Sequence, residues 1–104
     1  MGYTCVVYEI RRSETFHTWF ATLDDSKARA RIAARIDRLA AGNPGDVRPV
    51  GSGVSELRVD YGPGFRVYYK RTGKIVYLLL CGGTKGTQDA DIELAIAMAA
   101  DLKR

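Results

Sequence analysis

An α+β domain, with a helix hairpin laid on an antiparallel meander and a third helix near the C-terminal end, is the fold class that three observations predict. Val54–Asp60 and Phe65–Arg71 alternate apolar and polar residues and are separated by Tyr61-Gly62-Pro63-Gly64, the pattern of consecutive hairpin strands. Between Ser13 and Leu39 two stretches place apolar residues at helical spacing instead. A last helical stripe follows the polar segment Gly82–Gln88.

Taken in order, Tyr3–Ile10 is rich in β-branched and aromatic residues and reads as a first strand. Ser13 suits an N-cap, and Phe16, Trp19, Phe20 and Leu23 then line one face of a short helix. His17 lies beside that stripe and reads as a structural histidine. Asp24-Asp25-Ser26 ends this helix and starts another, whose apolar stripe is Ala28, Ile32, Ile36 and Leu39. Arg29, Arg31, Arg35 and Arg38 flank that stripe; most such runs are a solvated face, with contact to RNA or an acidic partner as the alternative. Gly42 closes the helix and Asn43-Pro44-Gly45 turns the chain. Asp46–Val50 is polar and interrupted by Pro49, as tolerated on an edge strand. Ile75–Cys81 is apolar on both faces and so predicts a central strand covered on both sides. Gly82–Gln88 reads as a flexible loop, without the Gly, Lys and Ser/Thr spacing of a P-loop. Thr87 suits the cap of a helix whose buried stripe is Ile92, Ala95, Ile96, Ala99 and Leu102, with Asp89 and Asp91 in its first turn and Lys103 and Arg104 in its last. Leu94 and Met98 fall off that stripe and suggest a second apolar patch.

At 104 residues the chain predicts one domain with a core that needs no metal or disulfide staple. No apolar run reaches membrane-spanning length and the N-terminus carries no export pattern, so the cytoplasm is the expected compartment. Cys5 and Cys81 sit in apolar runs, as small buried hydrophobes do; a disulfide between them is left open, and a cytosolic setting argues against it. With one histidine and no spaced Cys/His set, neither a zinc site nor a cofactor is expected. Residues 46–88 hold seven Lys and Arg against three Asp and Glu, so the positive charge gathers in the meander and points to a polyanion or an acidic protein as partner.

Because successive strand side chains face opposite ways, Glu56, Arg58 and Asp60 share one face of the first run, and Arg66, Tyr68 and Lys70 share one face of the second. Pairing through the Gly62-Pro63-Gly64 turn gathers Arg58, Arg66 and Tyr68 on a polar face whose other side is core. Lys85 lies nearby.

On these residues the chain resembles a known family. GNPGDVRPVGSGVSELRVDYGPGFRVYY and LLLCGGTKGTQDADIELA, preceded by the Phe16/Trp19 helix and the Ala-Arg-Ile helix, are similar to the RelE/ParE superfamily of bacterial toxins, in the addiction-module killer branch close to HigB-type toxins. The resemblance implies a five-stranded, mostly antiparallel sheet of order 1-5-4-3-2 under the helix hairpin, with a C-terminal helix. It implies a helix-turn-helix antitoxin as partner, with a toxin–antitoxin heterotetramer as one assembly, and an activity that is cleavage of mRNA on the ribosome in many relatives and poisoning of DNA gyrase in others. Fold alone does not choose between these.

Cleaving RNA without a metal uses the RNA's own 2′-hydroxyl against the adjacent phosphate, so the protein must stabilise charge on phosphorus and move two protons. Arg58 and Arg66 are the expected phosphate clamps, since a guanidinium fork donates two hydrogen bonds to phosphate oxygens. Lys85 is the expected second cation and Tyr68 the expected stacking or proton-donating group, with Tyr61 and Tyr69 as substitutes. Glu56 is a candidate base or else the ion-pair partner of Arg66. Gln88 reads a base edge or assists the helix cap, and Lys70 completes the set expected to touch RNA.

Overall fold

Two side-chain caps set the starts of the helix hairpin. The computed structural model describes residues 7–102. Its elements are β1 (Glu9–Arg12), α1 (Glu14–Ala21), α2 (Ser26–Ala40), β2 (Val47–Gly51), β3 (Val54–Val59), β4 (Phe65–Arg71), β5 (Val76–Thr84), a 3₁₀ turn over Lys85–Thr87, and α3 (Gln88–Asp101). Ser13 Oγ accepts from the Phe16 amide at 3.0 Å and donates to the Leu80 carbonyl at 2.6 Å, so one hydroxyl both starts α1 and fastens it to β5. Asp25 accepts from the amides of Lys27 and Ala28 at 2.9 and 3.2 Å and starts α2. Caps of this kind contribute about 1 kcal/mol each. Gly42, at φ +86°, takes the left-handed conformation that lets the chain leave α2.

The sheet order is β1-β5-β4-β3-β2, with β1 parallel to β5 and every other pair antiparallel. That is the order the family resemblance implies. Pro49 sits on the edge strand β2, where its missing amide costs no central ladder bond. On one face of the sheet, Phe16 of α1 and Ala28, Ile32, Ile36 and Leu39 of α2 pack on Leu57, Val59, Phe65, Val67, Tyr69 and Leu79. On the other face, Ala95 and Ala99 of α3 pack on Val54, Tyr68, Leu80 and Cys81. β5 is thus covered on both sides, as its apolar run predicts.

Several expectations are corrected. The sequence predicts a first strand over Tyr3–Ile10; the described strand is Glu9–Arg12, and residues 3–6, with Cys5, lie outside the described residues. Lys103 and Arg104 lie outside them as well. The loop expected at Gly82–Gln88 is instead the end of β5 followed by the 3₁₀ turn. The glycines there serve close approach: a Cβ at Gly82 would overlap the Trp19 ring, and one at Gly83 would overlap the Asp91 carboxylate. Another concerns the face expected to be solvated. α3 covers one half of it, which leaves Glu56 and Tyr68 with no exposed surface. Leu102, placed on the buried stripe of α3, is 45% exposed, whereas Met98 packs partly against the α3 core.

Candidate functional site

Strand register brings the basic residues together. Arg58 of β3 stands directly opposite Arg66 of β4, which in turn stands opposite Gly83 of β5. Like charges in directly opposed positions destabilise a sheet by tenths of a kcal/mol, so the pairing is not explained by folding. Arg58 is offset by Asp46, whose Oδ1 accepts from Nη2 at 2.8 Å and from Nε at 3.2 Å. That contact raises the Arg58 pKa and keeps the guanidinium charged. Arg66 is offset from behind, its Nε lying 3.8 Å from Glu56 Oε2.

Past the end of α3 this face is open. Arg58, Arg66 and Lys85 line a hollow of about 510 Å³, together with Asp46, Asp60 and the Gly62–Gly64 turn. Gly64 sits at φ +81°, its carbonyl accepts from the Lys85 amide at 2.8 Å, and a Cβ there would lie 3.4 Å from Arg66 Nη1 and 3.5 Å from Lys85 Cβ. The turn therefore draws Lys85 up beside Arg66. Three cations face two carboxylates, one of them already bound to Arg58, and the hollow suits an anion.

Behind it lies a buried polar group. Glu56 Oε2 accepts from Tyr68 Oη at 3.0 Å and from Gln88 Nε2 at 2.7 Å. Glu56 Oε1 and Arg66 Nε are buried without a hydrogen-bond partner among the described residues. Burial, followed by the bond to Glu56, pushes the Tyr68 pKa up, so its hydroxyl stays a donor. Gln88 opens α3 and ties the helix to Glu56. Thr87 donates to Asp91 Oδ2 at 2.5 Å instead of capping the helix through its side chain.

Arg58, Arg66 and Lys85 thus converge on the hollow. Glu56, Tyr68 and Gln88 form the layer beneath it, and the roles expected of Glu56 as a base and Tyr68 as a stacking group do not fit their burial. Tyr69 is on the opposite face, 6% exposed and edge-on to Tyr77. Tyr61 donates to Asp25 Oδ2 at 3.1 Å and carries the Arg31 guanidinium 4.8 Å over its ring. Lys70 donates to the Ser52 carbonyl at 3.2 Å, in the β2–β3 turn. Asp46 and Asp60, which line the hollow, are not among the site residues the sequence predicts. The signal for Asp46 lay in the edge-strand reading: pairing Val47 with Leu57 puts Asp46 beside Arg58.

Residues 18–100 match the family described as Phage derived protein Gp49-like (DUF891). The chain belongs to the Gp49-like family. An uncharacterized protein of Haemophilus influenzae is 46% identical over 94 residues, which cover 90% of this chain and 95% of that one. Among solved structures, a mutant of the E. coli toxin RelE in the free state superposes with a TM-score of 0.70 at 12% identity, covering 88% of this chain and 96% of that one. The toxin–antitoxin complex RelBE2 from Mycobacterium tuberculosis gives 0.61 at 13% identity, covering 81% and 98%. At such identities the likeness establishes the fold, and the fold of this Gp49-like chain is RelE-like.

In the Gp49-like chain the hollow's chemistry is that of an anion clamp with a carboxylate at its rim. Asp60 is exposed and forms no ion pair among the described residues. His17 is exposed on α1, away from the hollow's lining.

Proposed function

We propose that this Gp49-like chain is the toxin of a type II toxin–antitoxin pair, of the HigB-like branch, and that it cleaves mRNA held on the ribosome without a metal. The observation that carries the reading is the direct opposition of Arg58 and Arg66 around an open hollow. A phosphodiester seated there receives paired hydrogen bonds from the two guanidiniums, with Lys85 as a third cation, and these count most when the phosphorus carries its greatest charge. Asp60 accepts the proton of the 2′-hydroxyl as its oxygen attacks phosphorus; the bond from phosphorus to the 5′-oxygen breaks and that oxygen takes a proton from solvent water, leaving a 2′,3′-cyclic phosphate and a 5′-hydroxyl. The ribosome presents the message already extended, supplying orientation that a free strand lacks. Its partner is a helix-turn-helix antitoxin, and a toxin–antitoxin heterotetramer is the expected assembly. Such a role places the chain in the cytoplasm, and among the described residues no helix is long and apolar enough to cross a membrane.

The test is induced expression followed by primer extension on abundant transcripts. New 5′ ends within minutes are expected, and Arg66→Ala is expected to abolish both the ends and the toxicity while the fold persists. A second reading, a non-catalytic grip on a protein such as gyrase, draws on Leu94 of α3 and Leu102 just past its end, 44% and 45% exposed. Intact transcripts with broken DNA, and toxicity indifferent to Arg66→Ala, would decide for it.

A further inference from the structure

The arginines of α2 are left over from this reading, and three of them share one helical face. Arg31, Arg35 and Arg38, with Ala34, line a second cavity of about 310 Å³, closed on its other side by Val59 and Asp60. Arg35 is already committed, donating to the carbonyls of Arg58, of Pro44 at 2.9 Å and of Asp46 at 3.3 Å. That clasp joins the two cavities, because Arg58 and Asp46 line the first and Asp60 lines both. Arg38 crowds the same turn: its Nη2 lies 3.5 Å, and that of Arg35 3.1 Å, from where a Cβ on Gly45 would sit. Burial, and then the Arg38 charge, hold the Arg35 pKa below its ordinary value. Arg31 and Arg38 are exposed and form no ion pair among the described residues. Arg31 sits over Tyr61, its Cζ 4.8 Å from the ring centroid, and the side of the guanidinium away from that ring is left for a planar group.

We propose that this second cavity is a nucleotide subsite for single-stranded RNA, filled by the nucleotide on the 5′ side of the phosphate held between Arg58 and Arg66. The inference rests on the nuclease reading. The 2′-hydroxyl of that nucleotide falls at Asp60, the residue common to both cavities. Its base lies over the apolar floor of Ala34 and Val59 and against the free face of Arg31, since unstacked bases settle on guanidinium planes. Its own 5′-phosphate reaches Arg38. The continuity through Asp60 favours a nucleic-acid strand over an acidic protein segment, which would have no reason to occupy both cavities in sequence.

Binding of two uncleavable 2′-fluoro dinucleotides, NpN and its 5′-phosphorylated form pNpN, tests the assignment on the intact chain at several salt concentrations. Wild type is expected to bind pNpN severalfold more tightly than NpN, with a salt slope steeper by about 0.7 for the added contact. Arg38→Gln, a change on an exposed side chain, is expected to erase that gain and leave NpN unaffected. Persistence of the gain in Arg38→Gln overturns the subsite. So does an oligo-glutamate peptide that outcompetes pNpN on wild type and loses that advantage in Arg38→Gln, which would give the surface to an acidic protein. Arg58→Gln/Arg66→Gln separates the two levels of the proposal: NpN binding unchanged by that variant sinks the nuclease hollow itself, whereas NpN binding lost there with the 5′-phosphate gain intact in Arg38→Gln sinks this inference alone.

Discussion

A carboxylate shut away from water must be held by what its neighbours donate, and Glu56 is held by a phenol, an amide and the inner edge of a guanidinium. Replacing such a buried pair by apolar residues is often neutral or stabilising, so stability does not account for it. Its place directly behind Arg66 does: with Nε turned toward Glu56 and Nη1 donating to the Phe65 carbonyl at 3.4 Å, Nη2 is the guanidinium nitrogen left for the hollow. Glu56 is a positioning residue on this account. Glu56→Gln, which keeps the volume and removes the charge, is expected to lower cleavage on the order of 100-fold, the cost of about 1 Å of misplacement, while far-ultraviolet dichroism stays that of wild type. Cleavage unchanged within a factor of two would show that Arg66 is aimed without it.

At the scale of elements, the helix hairpin was the most legible part of the sequence. Ala28, Ile32, Ile36 and Leu39 are the buried residues of α2 and the stripe its spacing predicts. Acid should probe how α2 starts. Hydrogen bonds from the Ala28 amide, and then from the Tyr61 hydroxyl and the Lys27 amide, hold the Asp25 carboxyl below its ordinary pKa. A lowered folded-state pKa means the stabilisation is present above the unfolded value of about 3.9 and is lost as pH falls through the folded one. Asp25→Asn keeps a cap and removes the charge, so wild type should melt higher at pH 7 and lose that advantage below about pH 4. Melting curves at pH 7, 5 and 3 check this; a difference constant across the series would deny the charge any part. The meander was legible in its strands and in the pairing of Arg58 with Arg66, but not in what covers them. Glu56 and Tyr68 alternate as a solvated face does, and a period of two cannot tell water from a helix that brings its own polar partner, Gln88. Gly82 and Gly83 misled for a related reason. Glycines that mark a turn in sequence here admit Trp19 on one face and Asp91 on the other.

For the whole molecule, the same sheet face is half interior and half hollow, and α3 marks the boundary. Its seat depends on Gly83, which lets the Asp91 carboxylate lie against β5, where Thr87 also reaches it. Cys81 reports on that seat. Its thiol is 2% exposed, donates weakly to the Asp91 carbonyl at 3.6 Å, and is pushed up to about 12 by burial and then by the Asp91 charge, so it is inert while α3 stays down. Gly83→Ala drives a methyl into the Asp91 carboxylate and must lift the first turn of α3, at a cost of about 1–3 kcal/mol for overpacking. In a chain of this size each kcal/mol lowers the melting temperature by about 4–8 °C. In a Cys5→Ser background, where Cys81 is the single cysteine, the variant should also react with a thiol reagent well below its melting temperature, and Gln88 should release Glu56 as the helix rises. Loss of cleavage together with a newly reactive Cys81 would make α3 the part that holds the hollow's back wall in place. A variant that melts lower yet keeps its thiol protected and its cleavage intact would separate the stability of the fold from the geometry of the site.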